Sequence, residues 1–130
     1  MKNQLERIEL EYMIKTSPGI LFNRLSTPSG MSEWFADDVS INGKTFIFKW
    51  EGSEQSAEQT LKKNNQFVRY VWRDDEHPVG AWFEFQINVD ELTQDVALMI
   101  IDNIEPDEKE DAIELWDSQI EVLKHGLGSG

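Results

Sequence analysis

Residues 106–126, PDEKEDAIELWDSQIEVLKHG, read as one long amphipathic helix. Ile113, Trp116, Ile120, Leu123 and Leu127 recur at steps of three and four, which places them on one stripe. Pro106 suits a first helical turn, where its missing N–H removes no hydrogen bond. Asp107, Glu108, Glu110 and Asp111 sit where the helix dipole favours anions, Lys124 and His125 sit at the opposite end, and Gly126 is a natural stop. Almost everything before this segment reads as strand. A single long helix after a run of strands needs a sheet to lie on, and at about 1.5 Å per residue it is long enough to cross one.

Working backwards, Asp95–Ile104 is the most hydrophobic strand and is expected to be central. Gly80–Val89 alternates, with Ala81, Phe83, Phe85, Ile87 and Val89 opposing Trp82, Glu84, Gln86 and Asn88. Phe67–Arg73 is rich in aromatic and β-branched residues, but its alternation leaves open whether Tyr70 and Trp72 or Val71 and Arg73 point inward. Ser56–Lys63 is polar and is expected to be an edge strand, with Glu54, Glu58, Lys62 and Lys63 discouraging further pairing; this favours a monomer. Lys44–Trp50 places Phe46, Phe48 and Trp50 on one face, and Asn42-Gly43 before it is a hairpin turn after a short strand, Asp38–Ile41. Residues 5–15 form the opening strand, with Ile8, Leu10, Tyr12 and Ile14 on one side. Ser17-Pro18 and Thr27-Pro28 are capping signals for two short helices, Pro18–Leu25 and a second running through Met31, Trp34 and Phe35. Neither carries a basic face, so a DNA-reading helix–turn–helix is rejected. The order is strand, two short helices, about six strands joined by short turns, and a long helix. That predicts an α+β domain over residues 1–127, an antiparallel sheet covered by the last helix, with 128–130 a frayed tail.

The chain has 130 residues, enough for one core, and five Trp and seven Phe to fill it. Its net charge of −13 repels phosphate backbones and anionic membrane surfaces, so neither is an expected partner. An acidic face on the last helix, with Asp107, Glu108, Glu110, Asp111, Glu114, Asp117 and Glu121, is the place where a basic protein would dock. There is no cysteine, which removes disulfides and thiolate chemistry and fits the cytoplasm. The N-terminus lacks the apolar stretch of a signal peptide, and the longest apolar run, 96–101, is too short to span a bilayer.

This element order resembles the START-like superfamily, also called SRPBCC, with its helix-grip fold. Thr16-Ser17-Pro18-Gly19-Ile20-Leu21-Phe22-Asn23-Arg24-Leu25 is similar to that family's entry into its first helix. Met31-Ser32-Glu33-Trp34-Phe35, and the stretch from Glu114-Leu115-Trp116 to Leu123, resemble the branch of activator-of-heat-shock-ATPase homologues. The double tryptophan of that branch is reduced here to Trp34-Phe35. The resemblance implies a cavity between sheet and helix for a hydrophobic small molecule, a lipid or an aromatic compound. It also implies, as alternatives, a chaperone-associated interaction module or a cyclase- or hydratase-like enzyme. A binding domain without cofactor is the expectation.

If the helix stripe faces the sheet, Ile113, Trp116 and Ile120 form a roof over Phe46, Phe48, Trp50, Phe83 and Phe85. These residues either line a cavity or fill the core. Arg69 is the candidate cation and would need a carboxylate such as Glu84. Asp102 interrupts an apolar strand and reads as an end-of-strand polar residue. His77 lies in the acidic loop Asp74-Asp75-Glu76-His77, whose spacing matches no metal site. No nucleophile elbow and no glycine-rich phosphate loop occur.

Overall fold

The computed structural model describes residues 4–128. Seven strands form one sheet: β1 (Glu6–Met13), β2 (Asp38–Asn42), β3 (Thr45–Trp50), β4 (Ser53–Lys63), β5 (Phe67–Trp72), β6 (Trp82–Val89) and β7 (Val96–Ile104). Their spatial order is β1-β7-β6-β5-β4-β3-β2, and every pairing is antiparallel. Three helices accompany them: α1 (Pro18–Ser26), α2 (Pro28–Met31) and α3 (Lys109–Gly126), the last preceded by a 3-10 turn at Pro106–Glu108. This is the helix-grip arrangement, α+β, that the element order implied. Of the tail expected at 128–130, residues 129 and 130 lie outside the described residues.

Two expectations about the sheet are corrected. β4 is not an edge strand; it is hydrogen-bonded on one side to β3 and on the other to β5. Its polarity arises because it overruns the core: only Ala57 is buried, and beyond a bulge near Gln59 the strand projects as an exposed ladder arm. The charges of 54–63 therefore guard no edge, and the inference of a monomer drawn from them falls. β7 is interior but second from one side, and the central strand is β5. The helix expected through Phe35 stops at Met31; the chain then tightens into turns, with the N–H groups of Phe35 and Ala36 both donating to the Met31 carbonyl.

Register decides which side chains share a face. Phe83 lies opposite both Tyr70 and Asp102, and Asp102 opposite Ile8, so all four point to one side of the sheet. Tyr70 and Trp72 are thus the inward set of β5. The inner face is a continuous aromatic layer of Phe46, Phe48, Tyr70, Phe83 and Phe85, each fully buried. Phe35 is set into its middle, within ring contact of Phe48, Trp50, Phe83 and Trp116. The helix lies on this layer through Trp116, Ile120 and Leu123, each burial contributing about 1.5–3 kcal/mol.

The short helices are pinned by polar contacts made inside the core. Tyr70 Oη donates to the Leu25 carbonyl at 2.7 Å, and Gln59 Nε2 donates to the Ser26 carbonyl at 3.0 Å. Between α1 and α2 the backbones approach so closely that a Cβ on Gly30 would lie 2.2 Å from Asn23 O and 2.8 Å from Arg24 Cα. Both obstacles are backbone and cannot rotate away. Gly30→Ala is expected to destabilise the fold by about 1–3 kcal/mol or more through overpacking, read as a lowered urea midpoint at unchanged slope.

Candidate functional site

The core beneath α3 is packed through Trp116, Ile120 and Leu123, and a pocket opens beside the helix's N-terminal half. The cause is local. Ala112 and Trp116 are one turn apart on the same side of α3, and the small side chain leaves unfilled the volume that the indole occupies one turn later. The result is a half-open pocket of about 410 Å³. Phe35, Phe83 and Trp116 are its buried surfaces, Trp50 and Trp72 are partly exposed beside it, and Leu115, Glu108 and Asp111 stand exposed at its mouth. Its volume falls in the range of small-molecule sites, roughly 300–1,000 Å³.

The expected site residues divide on this geometry. Trp50, Phe83 and Trp116 line the pocket. Phe46, Phe48, Phe85 and Ile120 are packed into the core and do not line it, and half-buried Ile113 does not line it either. Arg69 lies on the outer face of the sheet. It does find Glu84, at 2.7 Å, but there its guanidinium stacks over Trp82 at 3.7 Å, and Gln86 Nε2 donates to the second Glu84 oxygen. This pair shields the uncovered side of the sheet and takes no part in the pocket.

The polar groups that do face the pocket are His77, Asp102, Gln55 and Gln119, with Glu108 and Asp111 at the mouth. Among the described residues no Lys or Arg lines it. Asp102 shares its inward parity with Leu98 and Ile100 and extends beneath α3, where Trp116 Nε1 donates to its Oδ2 at 2.8 Å and the Asn103 N–H donates to Oδ1 at 2.9 Å. Burial pushes its carboxyl pKa up, against the lowering effect of these two donors and of the His77 charge. Gln119 Nε2 and Trp50 Nε1 both donate to the Phe35 carbonyl, at 2.9 and 3.0 Å, so helix, sheet and turn meet at one oxygen.

His77 belongs to the loop between β5 and β6. Asp74 folds this loop back on itself: its Oδ1 accepts from the N–H groups of Glu76 and His77 and from His77 Nδ1 at 2.8 Å, while Oδ2 accepts from the Ser56 N–H of β4. Burial alone would raise the Asp74 carboxyl, but these hydrogen bonds and the His77 charge together hold it below its ordinary value. The imidazole is laid flat on Trp72, with ring centres 3.8 Å apart and planes 3° from parallel. Among the described residues no three His, Cys, Asp or Glu side chains group as metal ligands, and no helix is long and apolar enough to cross a membrane. His77 and Asp102 are the pocket-lining polar residues to which sequence reasoning gave little weight. The parity of Asp102 with Leu98 and Ile100 was the available signal for one; the other depends on a loop turn that no periodicity encodes.

A carboxyl raised by the fold binds a proton more tightly in the native than in the unfolded chain, so its contribution to stability declines as pH rises from about 4, the unfolded value. Relative to Asp102→Asn, which cannot titrate, the wild-type chain is expected to lose stability between pH 4 and pH 7.5. Urea denaturation of both proteins across that range measures the difference, and the common effect of the −13 net charge cancels.

The START-like superfamily domain matches residues 1–129. BfR322 from Bacteroides fragilis, whose solution structure is known, is 39% identical over 95% of this chain and 92% of its own, with a TM-score of 0.66. The Aha1 dimer from Colwellia psychrerythraea is 21% identical, covering 92% of this chain and 93% of that one, with a TM-score of 0.79. MLL2253 from Mesorhizobium loti is 18% identical over 95% and 97%, with a TM-score of 0.78. The last two share the fold. No curated protein sequence matches the chain. The match across nearly its whole length makes this chain a member of the START-like superfamily.

Proposed function

We propose that the domain binds a ring-bearing small molecule, neutral or cationic, between its sheet and the N-terminal half of α3. The observation that carries this reading is the lining itself: Phe35, Trp50, Trp72, Phe83 and Trp116 with three carboxylates, one imidazole and, among the described residues, no Lys or Arg. Flat aromatic walls favour flat ligands through offset and edge-to-face ring contacts. The charge pattern narrows the ligand further. A fatty acid or any other carboxylate would have to desolvate its anion beside Asp102, Glu108 and Asp111 with no Lys or Arg among the described lining residues to pair with it. The lipid option is thereby confined to uncharged lipids, and ring compounds fit better.

A second reading, an interaction module for a basic or chaperone protein, is supported by the exposure of Asp107, Glu108, Glu110, Asp111, Glu114 and Glu121 along one segment. The formed pocket favours the first.

The matched pair 2-naphthol and 2-naphthoate separates charge from shape. The phenol is expected to shift the Trp116 indole N–H resonance saturably and the carboxylate to leave it in place. Ala112→Trp, which plugs the space, is expected to abolish the shift while keeping the amide spectrum dispersed. Equal binding of both compounds, or binding that survives the plug, would overturn the assignment.

A further inference from the structure

We propose that the pocket is an acid–base site that enolises a bound neutral ring ketone, with His77 as the base and the Asp102 carboxyl as the acid. The inference rests on the occupancy proposed above and assigns the chemistry of the polar end of that same pocket.

The base is defined by its partner. An ionised carboxylate only accepts, so the contact between Asp74 Oδ1 and His77 Nδ1 places the ring hydrogen on Nδ1. When the imidazole is unprotonated its lone pair is then on Nε2, which makes no hydrogen bond with any described residue. Three restraints fix the ring: the Asp74 contact, the loop turn built on the same carboxylate, and the stack on Trp72. Asp74 is thus a positioning residue, and the base is held in place before any ligand arrives.

The acid follows from what the pocket lacks. Removing a proton next to a carbonyl puts negative charge on its oxygen, and among the described residues no Lys or Arg lines the site to balance that charge. A proton delivered to that oxygen removes the charge, and Asp102 is the acid facing the enclosed part of the pocket, the other two carboxylates standing exposed at its mouth. Its burial favours the protonated form that such a donor needs. Among the described residues no Ser, Thr, Cys or Lys lines the pocket, so it offers no hydroxyl, thiol or amine nucleophile, and the imidazole and carboxyl it does hold are the usual partners of proton transfer. In the step, Nε2 takes the α-hydrogen as a proton. The C–H electron pair becomes the C=C bond, the carbonyl π pair moves to oxygen, and oxygen takes the Asp102 proton. The product is the enol, isomeric with the ketone, and the reverse sequence restores both side chains.

The probe is 2-tetralone in D2O, followed by proton NMR with the unmodified chain. The expected result is loss of the α-hydrogen signals at least about 100-fold faster than with an equal concentration of free imidazole, the scale of general acid–base catalysis. His77→Gln is expected to return exchange to the imidazole level while the ketone still shifts the Trp116 indole N–H. Asp102→Asn, the second variant, slows exchange by a separate route. Saturable binding with exchange no faster than free imidazole, or exchange untouched in His77→Gln, would overturn the acid–base assignment and leave occupancy standing. Absence of any saturable shift would overturn the occupancy reading, and this inference with it.

Discussion

The hydrogen bond from the Trp116 indole to the Asp102 carboxyl is the contact on which the rest of the structure turns. α3 gathers its acids on the side away from the sheet and commits few side chains to the sheet. Apolar contact alone would let such a helix roll. The indole N–H fixes its rotation at one point, and two further bonds hold it on either side: Tyr12 Oη to Asp117 Oδ1 at 2.6 Å, and Gln119 Nε2 to the Phe35 carbonyl. With the rotation set, Ala112 faces the sheet one turn before Trp116, and the pocket exists. The same bond puts a carboxyl under a helix, away from water, where its charge is disfavoured. One contact thus creates both the space and the unusual character of the group inside it.

The sequence made the architecture readable because its signals were redundant. The period of Trp116, Ile120 and Leu123, the alternation of 81–89, and the Ser17-Pro18 and Thr27-Pro28 caps each pointed to the same element order. Strand order was less readable. Polarity was taken as a sign of an edge in 56–63, but a strand can be paired on both sides and still be wet on its outer face and along its overhang. The site was readable only in part. Trp50, Phe83 and Trp116 followed from face and period. The aromatics between them, Phe46, Phe48 and Phe85, carry the same pattern, and only packing separates lining from filling. His77 was visible as a histidine in an acidic loop but its place at the pocket was not, because that depends on Asp74 capping the loop and on the flat face of Trp72.

The two faces of the sheet solve the problem of exposure differently. The inner face is covered by helices. The outer face has no helix over it, and its buried Ile101 and half-buried Trp82 are screened instead by long charged side chains, with Arg69 laid on the indole and Glu84 locked beneath by Arg69 and Gln86. An Arg–Glu pair that would mark a site if it pointed inward is, on this side, part of the protein's skin.

Of the seven strands β1 is made first, and among the described residues it pairs with β7 alone, from Glu6 against Ile104 to Met13 against Ala97. Contacts of such long range form slowly, because the chain between them must be gathered before they are rewarded. Until residues 96–104 are available, β1 has nothing to pair with, and until α3 follows, the aromatic layer lies open. Completion of the domain is therefore a late event in the life of the polypeptide. A nascent or truncated chain that stops short of the helix displays Phe35, Tyr70 and Phe83 to the cell, and in that state it is a client for chaperones and proteases rather than a partially working protein.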